Sequence, residues 1–439
     1  MRFSFLLLMI LIVASCAKDH WFDPPEKLPD NCKPSNLISP KIKIAVVPDI
    51  HYMHPSLLPK DISDSPSFLD YLGKDRKLLE LSDPIFRKVI SELIAEKPDI
   101  LLIPGDLVKD GELVSHVAVR GFLHILEKMH IKVFVVPGNN DILNPDALTF
   151  KTEPPTPVPN ITPDAFARIY RDFGYSEARY RDTNSLSYIC QPYRNLWILG
   201  IDNCKYTEKD GKIKVSGAIN TDTKDWIEEK MAEARKKNIT VLAMMHYGII
   251  EHYAGQKNVE PLISGSKDNA IALMNAGIRL IFTGHYHACD IVEFTNNGQT
   301  LFDIQTGSLV TPPSSYRIIN LDNNSVSIDT KRVTSIYARL PGGMNFLTYS
   351  EININKRLNS FFLYYLTKLF GLPEAAAVNL APYFTNAFKA YFAGDEQISD
   401  EELEKLNALP SDFSPLVNLV KSVWTDLAPQ DNKIDIELK

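Results

Sequence analysis

The chain has 439 residues, 45% of them hydrophobic and 23% charged, which excludes a collagen-like, disordered or disulfide-stapled protein. At about 150 residues per domain the length allows two or three domains. The formal net charge of −7 lacks the basic footprint of a nucleic-acid binder, so no duplex partner is expected.

In chain order, Arg2 precedes an apolar run from Phe3 to Val13. That run has 11 residues, where a membrane helix needs about 20. Val13-Ala14-Ser15-Cys16 then resembles a bacterial lipobox. Residues 1–15 therefore read as a signal peptide. Cys16 reads as the lipidated first residue of an exported, membrane-anchored lipoprotein, periplasmic or at the cell surface. A plain secretory signal is the bland alternative. Residues 16–40, with Pro24, Pro25, Pro29, Pro34 and Pro40, form a stiff tether, about 70 Å long if extended. Beyond Cys16, the four remaining cysteines, Cys32, Cys190, Cys204 and Cys289, are too few for a disulfide framework.

A catalytic domain is expected over residues 41–335. Ile42, Ile44, Val46 and Val47 make a first strand ending in Asp49-Ile50-His51. Asp83 as N-cap and Pro84 open a helix. A second strand, Ile100 to Ile103, ends at Gly105-Asp106. The next helix should bury Ala118, Phe122, Ile125 and Met129. A third strand, Val133 to Val136, ends at Gly138-Asn139-Asn140-Asp141. This βαβαβ order predicts parallel strands with right-handed crossovers. The loop from Leu143 to Pro163 carries six prolines and should border the site. Thr162-Pro163 caps a helix closed by Gly174, and strands follow over Ser185–Cys190 and Leu196–Ile201. Helices over Asp222–Lys237 and Asn269–Ala276 lead to strands ending at His246 and at Gly284-His285-Tyr286-His287. Residues 336–439 read as a small C-terminal helical domain. Within it, Phe361 to Tyr365 form a buried docking face, and Ser399 to Glu402 form a capping box.

The polar clusters share one position, just past the C-terminal ends of strands, where ligands bind in open α/β sheets. Taken in extended backbone, the i, i+2 pairs Asp49/His51 and His285/His287 each point one way. With Asp106, Asn139 and His246 they make seven donors, too many for one ion and suited to two if a carboxylate bridges. Two divalent ions, two carboxylates and a bridging hydroxide leave a net +1, which attracts a phosphate anion. Singly, each residue has a dull reading as a turn former or core histidine. Five ordered clusters at strand ends do not.

The series Asp49-x-His51, Gly105-Asp106, Gly138-Asn139-Asn140-Asp141, His246 and Gly284-His285-x-His287 resembles the calcineurin-like metallophosphoesterase superfamily over about residues 42–310. The contexts Met244-Met245-His246-Tyr247-Gly248 and Pro137-Gly138 look most like bacterial members described as cyclic-nucleotide phosphodiesterases. The resemblance implies an α/β, four-layer αββα sandwich. It implies Asp49, His51 and His287 on one metal, Asn139, His246 and His285 on the other, and Asp106 bridging. It implies two divalent ions (Mn, Fe, Zn or Ni) and phosphodiester hydrolysis by a metal-bridging hydroxide. Phosphomonoester or pyrophosphate hydrolysis is the alternative within that class, and a non-catalytic metal- or phosphate-binding lipoprotein is the alternative outside it. The expected substrate is a small phosphoester, with nucleotides among the candidates. Lys109 replaces the metal-binding tyrosine of purple-type relatives. Asn140 replaces the usual motif histidine, so Asn140, Asp141 and His252 become the catalytic candidates, with His54 a further proton source.

Overall fold

The computed structural model describes residues 41–437 apart from 207–215, 261 and 323–324. Cys16, the signal segment and the tether lie outside the described residues.

Two sheets form the centre. Strands β1 (Lys41–Val46), β2 (Ile100–Pro104) and β3 (Lys132–Val136) run parallel. The crossovers between them are helices α2 (Ser82–Glu96) and α3 (Leu113–Lys128); a shorter helix, α1 (Pro66–Gly73), precedes them. The other edge of β1 takes β13 (Ser315–Asp322), and β14 (Ser325–Arg332) follows. The second sheet has the order β11-β12-β10-β9-β8-β7-β6. Its parallel centre is β8 (Leu196–Gly200), β9 (Thr240–Met244), β10 (Leu280–Thr283) and β12 (Gln299–Gln305). Around it stand β6 (Tyr180–Arg181), β7 (Tyr188–Tyr193) and β11 (Asp290–Asn296). A two-stranded pair, β4 (Leu148–Thr149) and β5 (Thr156–Pro157), lies in the proline-rich loop.

Strand alternation makes the layers. On β8 to β10, Ile198, Leu242, Met244 and Phe282 face the first sheet and join Val46, Leu102 and Val135 in one core. The alternate residues Trp197, Leu199, Ala243 and Ile281 face outward. There they meet α5 (Thr221–Lys236) and α6 (Ser266–Ala276) through Ile227, Met231, Leu273 and Met274. Helix α2 packs on the far side of the first sheet through Ile85, Phe86 and Val89. The result is the αββα sandwich. Val46, Leu102 and Val135 are fully buried, each worth about 1.5–3 kcal/mol over exposure.

Several local expectations change. Helix α2 begins at Ser82 with no side-chain cap. Asp83 instead accepts a hydrogen bond from Tyr52 Oη (2.8 Å) and pairs with Arg87. Helix α3 turns Val119, Leu123 and Leu126 inward, leaving Ile125 and Met129 nearly half exposed. Ala118 and Phe122 do pack partly buried against the core, so the expected stripe is right in its first half and turns to solvent at Ile125 and Met129, because buried His116, Arg120 and His124 take up part of the inner face. Strand β7 starts three residues later than expected. Thr162 and Ser399 do cap α4 (Pro163–Ile169) and α9 (Asp400–Asn407), accepting from Ala165 N and Glu402 N.

The C-terminal segment contains α7 (Phe346–Lys368), α8 (Glu374–Ala393), α9 and α10 (Ser414–Val423). Leu358, Phe362, Phe384, Phe388 and Val420 form its core together with Tyr253, Tyr286 and Ala288 of the sandwich. Of the run Phe361–Tyr365 only Phe362 is buried, and Tyr364 is exposed. The chain then returns as β15 (Lys433–Glu437), antiparallel to β14, a strand that sequence reading did not include. Among the described residues no helix is long and apolar enough to cross a membrane.

Candidate metal centre

The loops after β1, β2, β3, β9 and β10 meet at one end of the two sheets. They bring Asp49, His51, Asp106, Asn139, His246, His285 and His287 together. All but half-buried His285 are buried. The i, i+2 pairs do not converge by strand pleating. Asp49, His51, Asp106, His285 and His287 all have φ between 44° and 75°, the left-handed region that non-glycine residues rarely occupy. Strain of this kind is held only where the surroundings enforce it. Backbone bonds do so here: Asp49 N donates to Gly105 O and His51 N to Asp106 O, both at 3.0 Å.

On one side, His51 Nε2 and His287 Nε2 stand 3.0 Å apart. Asp49 Oδ1 lies 3.8 and 3.7 Å from them and has no hydrogen-bond partner among the described residues. Asp49 Oδ2 accepts from His285 N (2.9 Å). On the other side, Asn139 Oδ1 lies 3.0 Å from His246 Nε2 and 3.1 Å from His285 Nδ1. Asp106 Oδ2 sits between the sets, 3.6 Å from His51 Nε2 and 3.4 Å from His246 Nε2. The outer nitrogens are anchored. His246 Nδ1 bonds the Pro104 carbonyl (3.0 Å) and His287 Nδ1 bonds Thr311 Oγ1 (2.7 Å). These bonds turn both Nε2 atoms inward, as metal-ligating imidazoles require.

Burial pushes the Asp49 carboxyl up to about 7, with the Asp106 charge adding to it and His246 opposing. Burial also takes His51 down to about 3. Burial disfavours a charged His246, but Asp106 and Asp49 outweigh it and raise this imidazole to about 9. Burial would likewise raise Asp106, yet His246 holds it well below the usual range. Unpartnered buried Asp49 Oδ1 and an oxygen–nitrogen donor set without thiolate fit two divalent ions. Lys109, by contrast, is fully buried and paired with Asp110 and with Glu112 (3.3 Å).

The three catalytic candidates separate. Asn140 donates twice to Asp106, from its backbone N (2.9 Å) and from Nδ2 (2.7 Å), so it steadies the central carboxylate. Asp141 accepts from Gly138 N (2.8 Å) and Val108 N (3.1 Å). It is a brace between two ligand loops and faces no open space. His252 is fully buried with Nδ1 on Asp290 (2.8 Å) and Nε2 facing Asp303 (3.6 Å). Nε2 makes no hydrogen bond among the described residues, but both nitrogens face carboxylates in the interior rather than solvent. His54 caps a short helical turn, accepting from Ser56 N.

Sequence reading missed Arg76. Its Nε is buried without a hydrogen-bond partner among the described residues, and its guanidinium lies 5.6 Å over the Phe392 ring of α8. Burial depresses His287 well below its usual value, and the Arg76 charge adds to it. His285 is lowered by burial, then by His246, with Arg76 adding to it. Arg76 is therefore a cation whose charge reaches the ligand cluster. Nothing in Asp75-Arg76-Lys77 marks it as different from a surface charge, and Lys77 indeed pairs with Asp75 (3.1 Å).

A family model described as calcineurin-like phosphoesterase matches residues 42–289. A search of curated proteins finds no match. Among solved structures, a dimetal phosphatase from Danio rerio is similar at 13% identity and a TM-score of 0.47, covering 66% of this chain and 96% of that one. A purple acid phosphatase from yellow lupin (Lupinus luteus) seeds is similar at 11% identity and a TM-score of 0.43, covering 73% and 54%. Likeness at this distance assigns no substrate.

Proposed function

Because this chain belongs to the calcineurin-like phosphoesterase family, whose members are dinuclear-metal phosphoester hydrolases, we propose that it hydrolyses a small phosphodiester, a nucleotide among the candidates. The observation that carries hydrolysis is Asp106 Oδ2 lying within 4 Å of an imidazole from each ligand set. The diester reading rests on the sequence around Met244–Gly248 and Pro137-Gly138. The metals, held by Asp49, His51 and His287 and by Asn139, His246 and His285, would activate water and stabilise developing phosphoryl charge. Pro104 and Thr311 orient the imidazoles, and Asn140 fixes Asp106. Asn140 cannot give up a proton, so the leaving group must depart with little help from this chain. Phenolate leaving groups tolerate that better than the ribose alkoxide of a nucleotide ester, which should leave more slowly and lean on the metals.

Arg76 favours a second reading. Its extra positive charge suits a dianionic phosphomonoester. Turnover of bis-p-nitrophenyl phosphate beside p-nitrophenyl phosphate, with added Mn²⁺, decides between them. Preference for the diester supports the first reading and preference for the monoester replaces it. No turnover of either leaves a non-catalytic binder.

Arg76→Ala is expected to lower kcat/KM by about 10- to 100-fold, the worth of a charged hydrogen bond of about 1.5–3 kcal/mol. Metal content should not change. An unchanged kcat/KM would remove Arg76 from substrate binding.

We further propose export and lipid anchoring through Cys16. Cys16→Ala should move the protein from the membrane to the soluble fraction, since acyl chains supply about 0.8 kcal/mol per buried CH₂. A wild-type protein already soluble, or a variant still on membranes, would refute this.

A further inference from the structure

Away from the seven-ligand cluster, three carboxylates from distant parts of the chain meet. Asp290 opens β11, Glu396 follows α8, and Asp431 precedes β15. Each offers an oxygen, and these oxygens lie within 4.8 Å of one another. All three residues are buried: Asp290 is 2%, Glu396 6% and Asp431 1% exposed. Among the described residues neither oxygen of Glu396 has a hydrogen bond of good geometry, and only its own backbone N–H helps to hold the carboxylate's charge. Asp431 Oδ1 accepts from Ile291 N (2.7 Å), while Oδ2 has no hydrogen-bond partner among the described residues. Beside it, Asn432 donates from Nδ2 to the carbonyls of Ala393 (2.9 Å) and Gly394 (2.6 Å), and its Oδ1 is also unpartnered. A buried carboxylate with no donor costs several kcal/mol, of the order of that for an isolated buried ion after relaxation. Something positive is missing from the contacts of Glu396.

The local charge points the same way. Asp290, Asp303, Glu396 and Asp431 are four buried carboxylates. The buried cations among them are His252, on Asp290 and near Asp303, and Arg317. Arg317 spends its donors on the carbonyls of Gln305 and Asp431 and on Thr330. With all four carboxylates ionised, as an ion would hold them, and His252 protonated, four negative against two positive charges leave −2, which one divalent ion cancels, and the nearby Asp426 charge adds to the deficit.

We propose that Asp290, Glu396 and Asp431 bind one Ca²⁺. The donors are all oxygens, as hard cations prefer. Ca²⁺ takes oxygens at about 2.3–2.6 Å, so ligands on opposite sides of it stand up to about 5 Å apart, which accommodates this cluster. Mg²⁺ demands a tighter shell and keeps its waters. The alternative is protonation: burial and the neighbouring Asp290 charge push Asp431 up to about 8 and Glu396 up to about 10. A proton neutralises Glu396 but gives its second oxygen no partner, whereas an ion serves several oxygens at once. The ion joins β11, the end of α8 and the start of β15. It thereby clamps the helical segment that carries Phe392, the ring under Arg76, to the sandwich.

The test uses the full chain with its catalytic centre saturated with Mn²⁺. Equilibrium dialysis with ⁴⁵Ca²⁺ should find one ion per chain. Glu396→Gln and Asp431→Asn should each weaken binding at least about 10-fold, since each removes a charged ligand. Added Ca²⁺ should raise the wild-type Tm, as a ligand of the folded state must, and should raise it more than Mg²⁺ does. His246→Ala, outside this cluster, should keep the ⁴⁵Ca²⁺. The proposal is overturned if Mn²⁺-loaded wild type binds no Ca²⁺, or if both variants bind as wild type does. It is equally overturned if His246→Ala loses the ion while Glu396→Gln retains it. Should the carboxylate variants fail to fold, the wild-type Tm decides: no rise with Ca²⁺ at constant Mn²⁺ rejects the site.

Discussion

Replacing His246 by alanine is expected to cut hydrolysis by more than about 100-fold and to remove one of the two bound metal ions. Losing a group that merely supports a metal ligand costs about 10- to 100-fold, and His246 is placed as a ligand itself. Its Nε2 lies 3.0 Å from Asn139 Oδ1 and 3.4 Å from Asp106 Oδ2. The fold should survive. The variant leaves the Pro104 carbonyl without its imidazole partner, at about 1–3 kcal/mol for an unsatisfied buried group. Metal analysis and turnover must be measured on the same preparation. Two ions bound with full activity would end the assignment of His246 as a ligand.

Gly138→Ala should abolish activity by a different route. The φ of Gly138 is ordinary, so the backbone itself would accept alanine. Space would not: the new Cβ would overlap Oδ1 and the backbone N of Asp106, well inside the 3.0 Å that Cβ atoms keep. One contact is main chain, so no rotamer change relieves it. The loops after β2 and β3 would have to part, and with them Asp106, Asn139 and Asn140. A loss of about 1–3 kcal/mol or more of stability is expected from overpacking, with activity reduced beyond about 100-fold. Gly121→Ala is the control. On α3 its Cβ would meet nothing within 4 Å, and alanine there should stabilise by about 0.5–1 kcal/mol. Wild-type rate and metal content in Gly138→Ala would show that this close approach does not matter.

The C-terminal segment was the least legible in sequence. Helix α8 contains Pro382, which ordinarily breaks a helix, so its apolar period does not announce itself. Helix α10 carries its buried residues at Val417, Val420 and Val423, a short stripe easily taken for a loop. Strand β15 has only Ile436 buried, and pairing with β14 rather than hydrophobic pattern defines it.

Sequence alone determined the parallel β1–β2–β3 unit and the family, because apolar runs of strand length ending in short polar motifs survive any rearrangement elsewhere. It placed the seven donor residues at strand ends, because that position depends only on where each run stops. Tertiary structure decided how the donors meet. Left-handed φ at Asp49, His51, Asp106, His285 and His287, fixed by bonds between neighbouring loops, aims side chains that an extended strand would have aimed otherwise. It also decided the fates of single residues with identical local signals. His246 faces the cluster while His252, six residues on, is fixed between Asp290 and Asp303. Lys77 pairs with Asp75, while Nε of Arg76 beside it has no hydrogen-bond partner among the described residues and its guanidinium lies over the Phe392 ring. What separates them is the partner each side chain meets from a distant segment, and local sequence does not encode distance across the fold.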